Sequence, residues 1–103
     1  MLLSAAEAWA YVYGPTPQAV ALAATKKFAI HEVHAWNQPQ VSYTVGTCRV
    51  LHRRPWLAYV CGFEIHGVPM YCHLAVTVGV KYLADRKYRG QEVGVRALDD
   101  SGC

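Results

Sequence analysis

Between Leu57 and Val80, apolar residues recur at every second position on both sides of His66-Gly67. Leu57, Tyr59, Cys61, Phe63 and Ile65 share one face, and Val68, Met70, Cys72, Leu74, Val76, Val78 and Val80 continue it. A period of two is strand geometry, and a Gly in the second turn position suits a two-residue hairpin. This pattern excludes an all-helical fold and demands a cover for the apolar face. Pairing Ile65 with Val68 predicts Phe63 opposite Met70, Cys61 opposite Cys72 and Tyr59 opposite Leu74. The other face contains Trp56, Ala58, Val60, Gly62, Glu64, Pro69, Tyr71, His73, Ala75 and Thr77. It carries less charge than an ordinary wet surface, so a partner subunit or a ligand is expected there.

The cover must come from the N-terminal third. Ser4 and Glu7 have capping-box spacing, so residues 4–13 are predicted as a short helix ended by Gly14-Pro15. Thr16-Pro17 restarts a helix, with Thr as cap and Pro in the first turn. Ala19, Leu22, Ala23, Ile30, Val33 and Trp36 fall in one helical stripe, which favours a helix over residues 17–36. The alternative ends that helix near Lys26 and makes residues 28–36 a strand. Further strands are predicted at residues 41–51, 56–65, 68–83 and 92–98. A polar turn is expected at 52–55, a charged loop at 84–91 and a frayed tail at 99–103. The expected fold is α+β: two N-terminal helices packed on a curved, four-stranded (or five-stranded) antiparallel meander, roll-like, in one domain of 103 residues. In outline this order resembles cystatin-like and nuclear-transport-factor-2-like rolls, where a curved sheet wraps a helix.

Composition narrows the class of function. The net charge is +3 and 53% of residues are apolar. The longest strongly apolar stretch, residues 74–80, is far short of the roughly 20 residues a membrane helix needs. Residues 1–10 lack the basic start and long apolar run of an export signal, so a cytoplasmic location is expected, with the cysteines reduced. Cys61 and Cys72 are then expected to pack as small buried hydrophobes. No Gly-rich phosphate loop and no GxSxG nucleophile motif is present. His31 and His34 have i, i+3 spacing without a clear third ligand, so no metal site and no cofactor is expected.

Three functional readings follow. The first is a non-enzymatic binding protein, expected to form a homodimer, holding a small apolar ligand between helices and sheet against Trp36, Tyr59, Phe63, Met70 and Leu74. The second is a basic interaction module. Arg49, His52, Arg53 and Arg54 form one group, and Lys81, Arg86, Lys87 and Arg89 another, with Trp56, Tyr82 and Tyr88 interleaved. The meander brings both groups to one end of the sheet. Arg53, Arg54, Arg86, Lys87 and Arg89 would there bind nucleic acid or an acidic protein. The third is a small enzyme using His73 as acid or base. In the predicted register Val60, not Glu64, lies opposite His73.

Overall fold

The computed structural model describes residues 11–36, 42–67 and 71–98. Its elements run β1 (Val12–Gly14), α1 (Pro17–Trp36), β2 (Ser42–His52), β3 (Leu57–His66), β4 (Tyr71–Ala84) and β5 (Lys87–Ala97). The five strands form one antiparallel sheet in the order β1-β5-β4-β3-β2. The fold is α+β and roll-like, with a curled sheet around one helix. Two helices were expected; one is found among the described residues. Residues 12–14, the first two of which the sequence placed in the first helix, instead pair with β5 as a fifth strand. The rest of that predicted helix lies outside the described residues. Residues 28–36 are helical, so the strand alternative for them is wrong.

The helix begins as its sequence dictates. Thr16 Oγ1 accepts the Ala19 N–H at 3.1 Å, and Pro17 occupies the first turn, where its missing N–H costs nothing. Gln18 Nε2 donates to the Cys48 carbonyl at 2.9 Å and ties this end of α1 to β2. The buried side of α1 differs from the expected stripe. Val20, Ala21, Ala24, Thr25 and Ala29 are buried and Phe28 is half-buried, whereas Ile30 is 45% exposed and Ala19 is exposed. The helix is turned by roughly half a turn from the predicted orientation. Its apolar residues lie nearly all round, so periodicity weighs both sides alike, and small side chains win because they let the helix approach the sheet. Val20 fits against two strand glycines. A Cβ on Gly14 would lie 3.0 Å from Val20 Cγ1, and one on Gly90 would lie 2.9 Å from the Val20 carbonyl oxygen.

The inner sheet face supplies the bulk that the helix lacks. Tyr59, Cys61, Phe63, Ile65, Cys72, Leu74, Val76, Val78 and Val80 are buried beneath α1. Phe28 meets Phe63 edge-on, with ring centroids 5.8 Å apart. The alternation read from sequence is therefore correct, but its register is not. Ile65 pairs with Cys72 and His66 with Tyr71, so the β3–β4 connection is longer than the two-residue His66-Gly67 loop expected. The slip is four residues. An even slip keeps every side chain on its face and changes only its neighbours. Cys61 accordingly lies opposite Val76 on β4 and opposite Cys48 on β2. It forms a disulfide with Cys48 across 13 residues of chain, and Cys72 is disulfide-bonded as well. The expectation of packed free thiols at Cys61 and Cys72 is thus overturned.

The β4–β5 connection is shorter than predicted. Ala84 pairs with Lys87, leaving Asp85 and Arg86 as a two-residue turn with φ of 52° and 59°. Both residues sit in the left-handed region, as a type I′ hairpin requires. Residues 87–91, expected in a loop, are consequently strand.

Candidate functional site: the outer face of the sheet

The outer face is built by the alternate positions of the same strands. From β2 it receives Thr44 and Arg49, and from β3 Ala58, Val60, Gly62 and Glu64. β4 adds His73, Ala75, Thr77, Gly79 and Lys81, and β5 adds Arg89, Gln91, Gly94 and Arg96. Its middle is made of small side chains, and larger ones stand around them. The small residues therefore form a floor.

One hollow of about 430 Å³ is lined by Trp56, Gly79, Lys81, Arg89, Gln91 and Val93, together with Val80. Trp56 rests on Gly79. A Cβ at that position would lie 3.3 Å from the indole Cζ3 and 3.5 Å from Val93 Cγ1, so glycine keeps the floor open. His52 meets the indole with its ring near-perpendicular at 4.8 Å, and its Nδ1 lies 2.9 Å from the Trp56 carbonyl oxygen. Trp56 remains 45% exposed. Lys81 and Arg89 are direct cross-strand partners. Like charges opposite each other destabilise a sheet. The Arg89 guanidinium is partly compensated by the Tyr11 ring, 4.6 Å away; Lys81 is exposed beside it.

A second hollow, about 330 Å³, lies further along the same face. Val60, Ala75, Thr77 and Gly94 line it, with Arg49 and Leu51 on β2 and Arg96 and Val95 on β5. Thr77 is two residues from Gly79 on β4, so the two hollows are adjacent. Among the described strand residues, Arg49, Lys81, Arg89 and Arg96 share this face with one carboxylate, Glu64.

Glu64 lies at the far end of the sheet. It is directly opposite His73, which corrects the predicted pairing of His73 with Val60. Its Oε1 is 3.2 Å from His66 Nε2, and a smaller hollow of about 140 Å³ lies beside Glu64 and His73. Among the described residues, no group of three His, Cys, Asp or Glu side chains is placed to hold a metal ion.

The residues singled out from sequence divide between the two faces. Tyr59, Phe63 and Leu74 are 7%, 1% and 8% exposed and belong to the core under α1. Trp36 ends α1 but its side chain lies outside what is described, and Met70 lies outside the described residues. Arg53 and Arg54 are exposed in the β2–β3 turn, which includes a cis Arg54–Pro55 peptide, and Arg86 and Lys87 are exposed at the β4–β5 turn. Leu57 pairs with Val80, so both turns lie at the same end of the sheet, as the meander argument required. Gln91, Val93 and Arg96 escaped sequence reasoning. The only signal for them was alternation in β5: Gln91 falls before the expected strand at 92–98, while Val93 and Arg96 lie inside it on faces that its register alone decides.

Comparison with protein families, with curated proteins and with solved structures gives no match. No helix among the described residues is long and apolar enough to cross a membrane.

Proposed function

We propose that the protein is a non-enzymatic binding module that takes an anionic partner on the outer face of its sheet. The observation carrying this reading is the Lys81–Arg89 pair, two cations opposite each other in the ladder and lining an open hollow. Such a pair costs stability in the free protein and is relieved when an anion lies between the two charges. The same face argues against the homodimer expected from the sequence as its occupant. A second copy stacked there would bring together two faces that each carry Arg49, Lys81, Arg89 and Arg96 against the single strand carboxylate Glu64. The apolar-ligand reading would need space where Phe28 already meets Phe63 and where Tyr59 and Leu74 are buried.

The test is retention on immobilised heparin. Lys81→Ala/Arg89→Ala is compared with Lys26→Ala/Lys27→Ala, which removes the same charge from exposed positions on the helix. Earlier elution of the first variant alone supports the site. Equal shifts mean that net charge governs retention and sink the proposal. A Cys48–Cys61 bond persists in oxidising compartments and is reduced in the cytoplasm. Thiol titration of freshly isolated protein therefore decides between the cytoplasmic location expected from sequence and an exported one.

A further inference from the structure

We infer that the anionic partner is a single-stranded nucleic acid, lying along β4 and β5 with one base stacked at Trp56. This rests on the anion-binding reading above and goes beyond it by naming the ligand. Three features of the outer face lead there.

The first is that the Lys81–Arg89 pair shares its hollow with an exposed indole. Lys81, Arg89 and Trp56 all line the same 430 Å³ space. A phosphate held by the two cations brings its attached base within reach of the ring. Stacking of this kind is indifferent to base identity because every base has a π-face. The second is the amide of Gln91 in the same hollow, which can both donate to and accept from a base edge.

The third is the continuation of the track. Arg89 and Arg96 both lie on the outer face of β5, seven residues apart. At about 3.4 Å per residue, less at the β5 irregularity, the cations are roughly 20 Å apart. Gly79, Thr77 and Ala75 on β4 and Gly94 on β5 form a low floor between them, and Arg49 flanks the far hollow. The result is a lane with cations at both ends, an aromatic stop at one, and small side chains between. An extended strand of a few nucleotides fits a lane of that length. A rigid duplex would present only phosphates, leaving the indole and the Gln91 amide without a role.

The experiment is fluorescence anisotropy with labelled probes at low and moderate salt. The probes are oligothymidylate of about twelve nucleotides, an abasic strand of the same length and charge, the corresponding duplex, heparin and polyglutamate. The inference expects the thymidylate to bind on the order of tenfold more tightly than the abasic strand, with affinity falling steeply as salt rises. Trp56→Ala should reduce the thymidylate to the abasic level and leave the abasic strand unaffected. Trp56→Phe should restore much of the difference. Four outcomes overturn the inference while leaving anion binding intact: equal affinity for thymidylate and abasic strand, preference for duplex, tighter binding of heparin, or tighter binding of polyglutamate. Absence of salt-dependent binding to every probe would refute the anion-binding reading itself.

Discussion

Replacing Lys81 by Glu should make the free protein more stable and the binding face useless. Lys81 stands opposite Arg89 in the β4–β5 ladder. Cross-strand charge pairs are worth about 0.2–1 kcal/mol, destabilising when alike and stabilising when opposite. Converting one kind to the other therefore changes stability by about 0.4–2 kcal/mol. The lower part of that range is expected, because Lys81 is exposed and Arg89 already has the Tyr11 ring. For a domain of this size, 1 kcal/mol corresponds to a melting-temperature rise of about 4–8 °C, so Lys81→Glu should melt a few degrees higher in dilute buffer. The gain is electrostatic and should fade near 1 M salt, where the Debye length is about 3 Å. Lys81→Gln, which removes the repulsion without adding attraction, should fall between the two. Both variants should lose heparin retention, Lys81→Glu the more. Thermal unfolding at two salt concentrations measures the first effect and elution salt the second. If Lys81→Glu melts at or below the parent temperature in dilute buffer, the pair is not a source of strain and the reasoning fails. A gain that persists unchanged at high salt would also defeat it, because it would then come from packing or strand propensity.

Four further outcomes test the fold. Gly90→Ala should destabilise by about 1–3 kcal/mol in urea unfolding, because its Cβ would lie 2.9 Å from the Val20 carbonyl oxygen and the helix would have to lift. Gly94→Ala, with nothing within 4 Å of the added carbon, should be neutral or slightly stabilising in the same assay. Arg86→Gly should raise stability by about 0.5–1 kcal/mol, since Arg86 holds a φ of 59° that glycine adopts freely; an unchanged melting temperature would contradict the type I′ turn. Under non-reducing conditions, Cys48→Ala/Cys61→Ala should lose about 3 kcal/mol, the loop-closure value for a link across 13 residues.

The inner face was legible because parity protects it. The hairpin register was misread by four residues, yet Cys61, Phe63, Ile65, Cys72, Leu74 and Val76 still fell on the correct side. What an even slip destroys is the identity of neighbours. Cys61 was set opposite Cys72 instead of Val76, and His73 opposite Val60 instead of Glu64. The cause was Gly67, which imitates the second residue of a tight turn. The tight turn that does exist, Asp85-Arg86, contains no glycine, so its neighbourhood reads as a longer charged loop at 84–91 instead of a two-residue turn. The helix orientation was misread for a different reason. Hydrophobicity ranks Ile30 and Leu22 above Ala21 and Ala24, but the helix docks on a face already filled by Tyr59, Phe63 and Ile65. Only small side chains let it come close enough to bury Val20 between Gly14 and Gly90.

The outer face was legible as a composition and hidden as a geometry. Trp56, Lys81 and Arg89 could each be named from the sequence, and the meander brought them to one end. Which of them meet depends on the β4–β5 register, and that follows from a turn the sequence disguised. Ala84 pairs with Lys87, and the register shift between Tyr82 and Ala84 then sets Lys81 opposite Arg89 and Gly79 opposite Gln91. The basic residues in the two turns then lose their claim to be the centre of the site. Arg53, Arg54, Arg86 and Lys87 are exposed at the sheet's end, where charge is well solvated and each contributes little. Lys81 and Arg89 lie on a strand face, their backbone positions set by the ladder, beside an aromatic wall. Like charges on directly paired strand positions repel, and an anion between them relieves that repulsion. Binding should therefore respond to Lys81 and Arg89 before it responds to the more numerous cations of the turns.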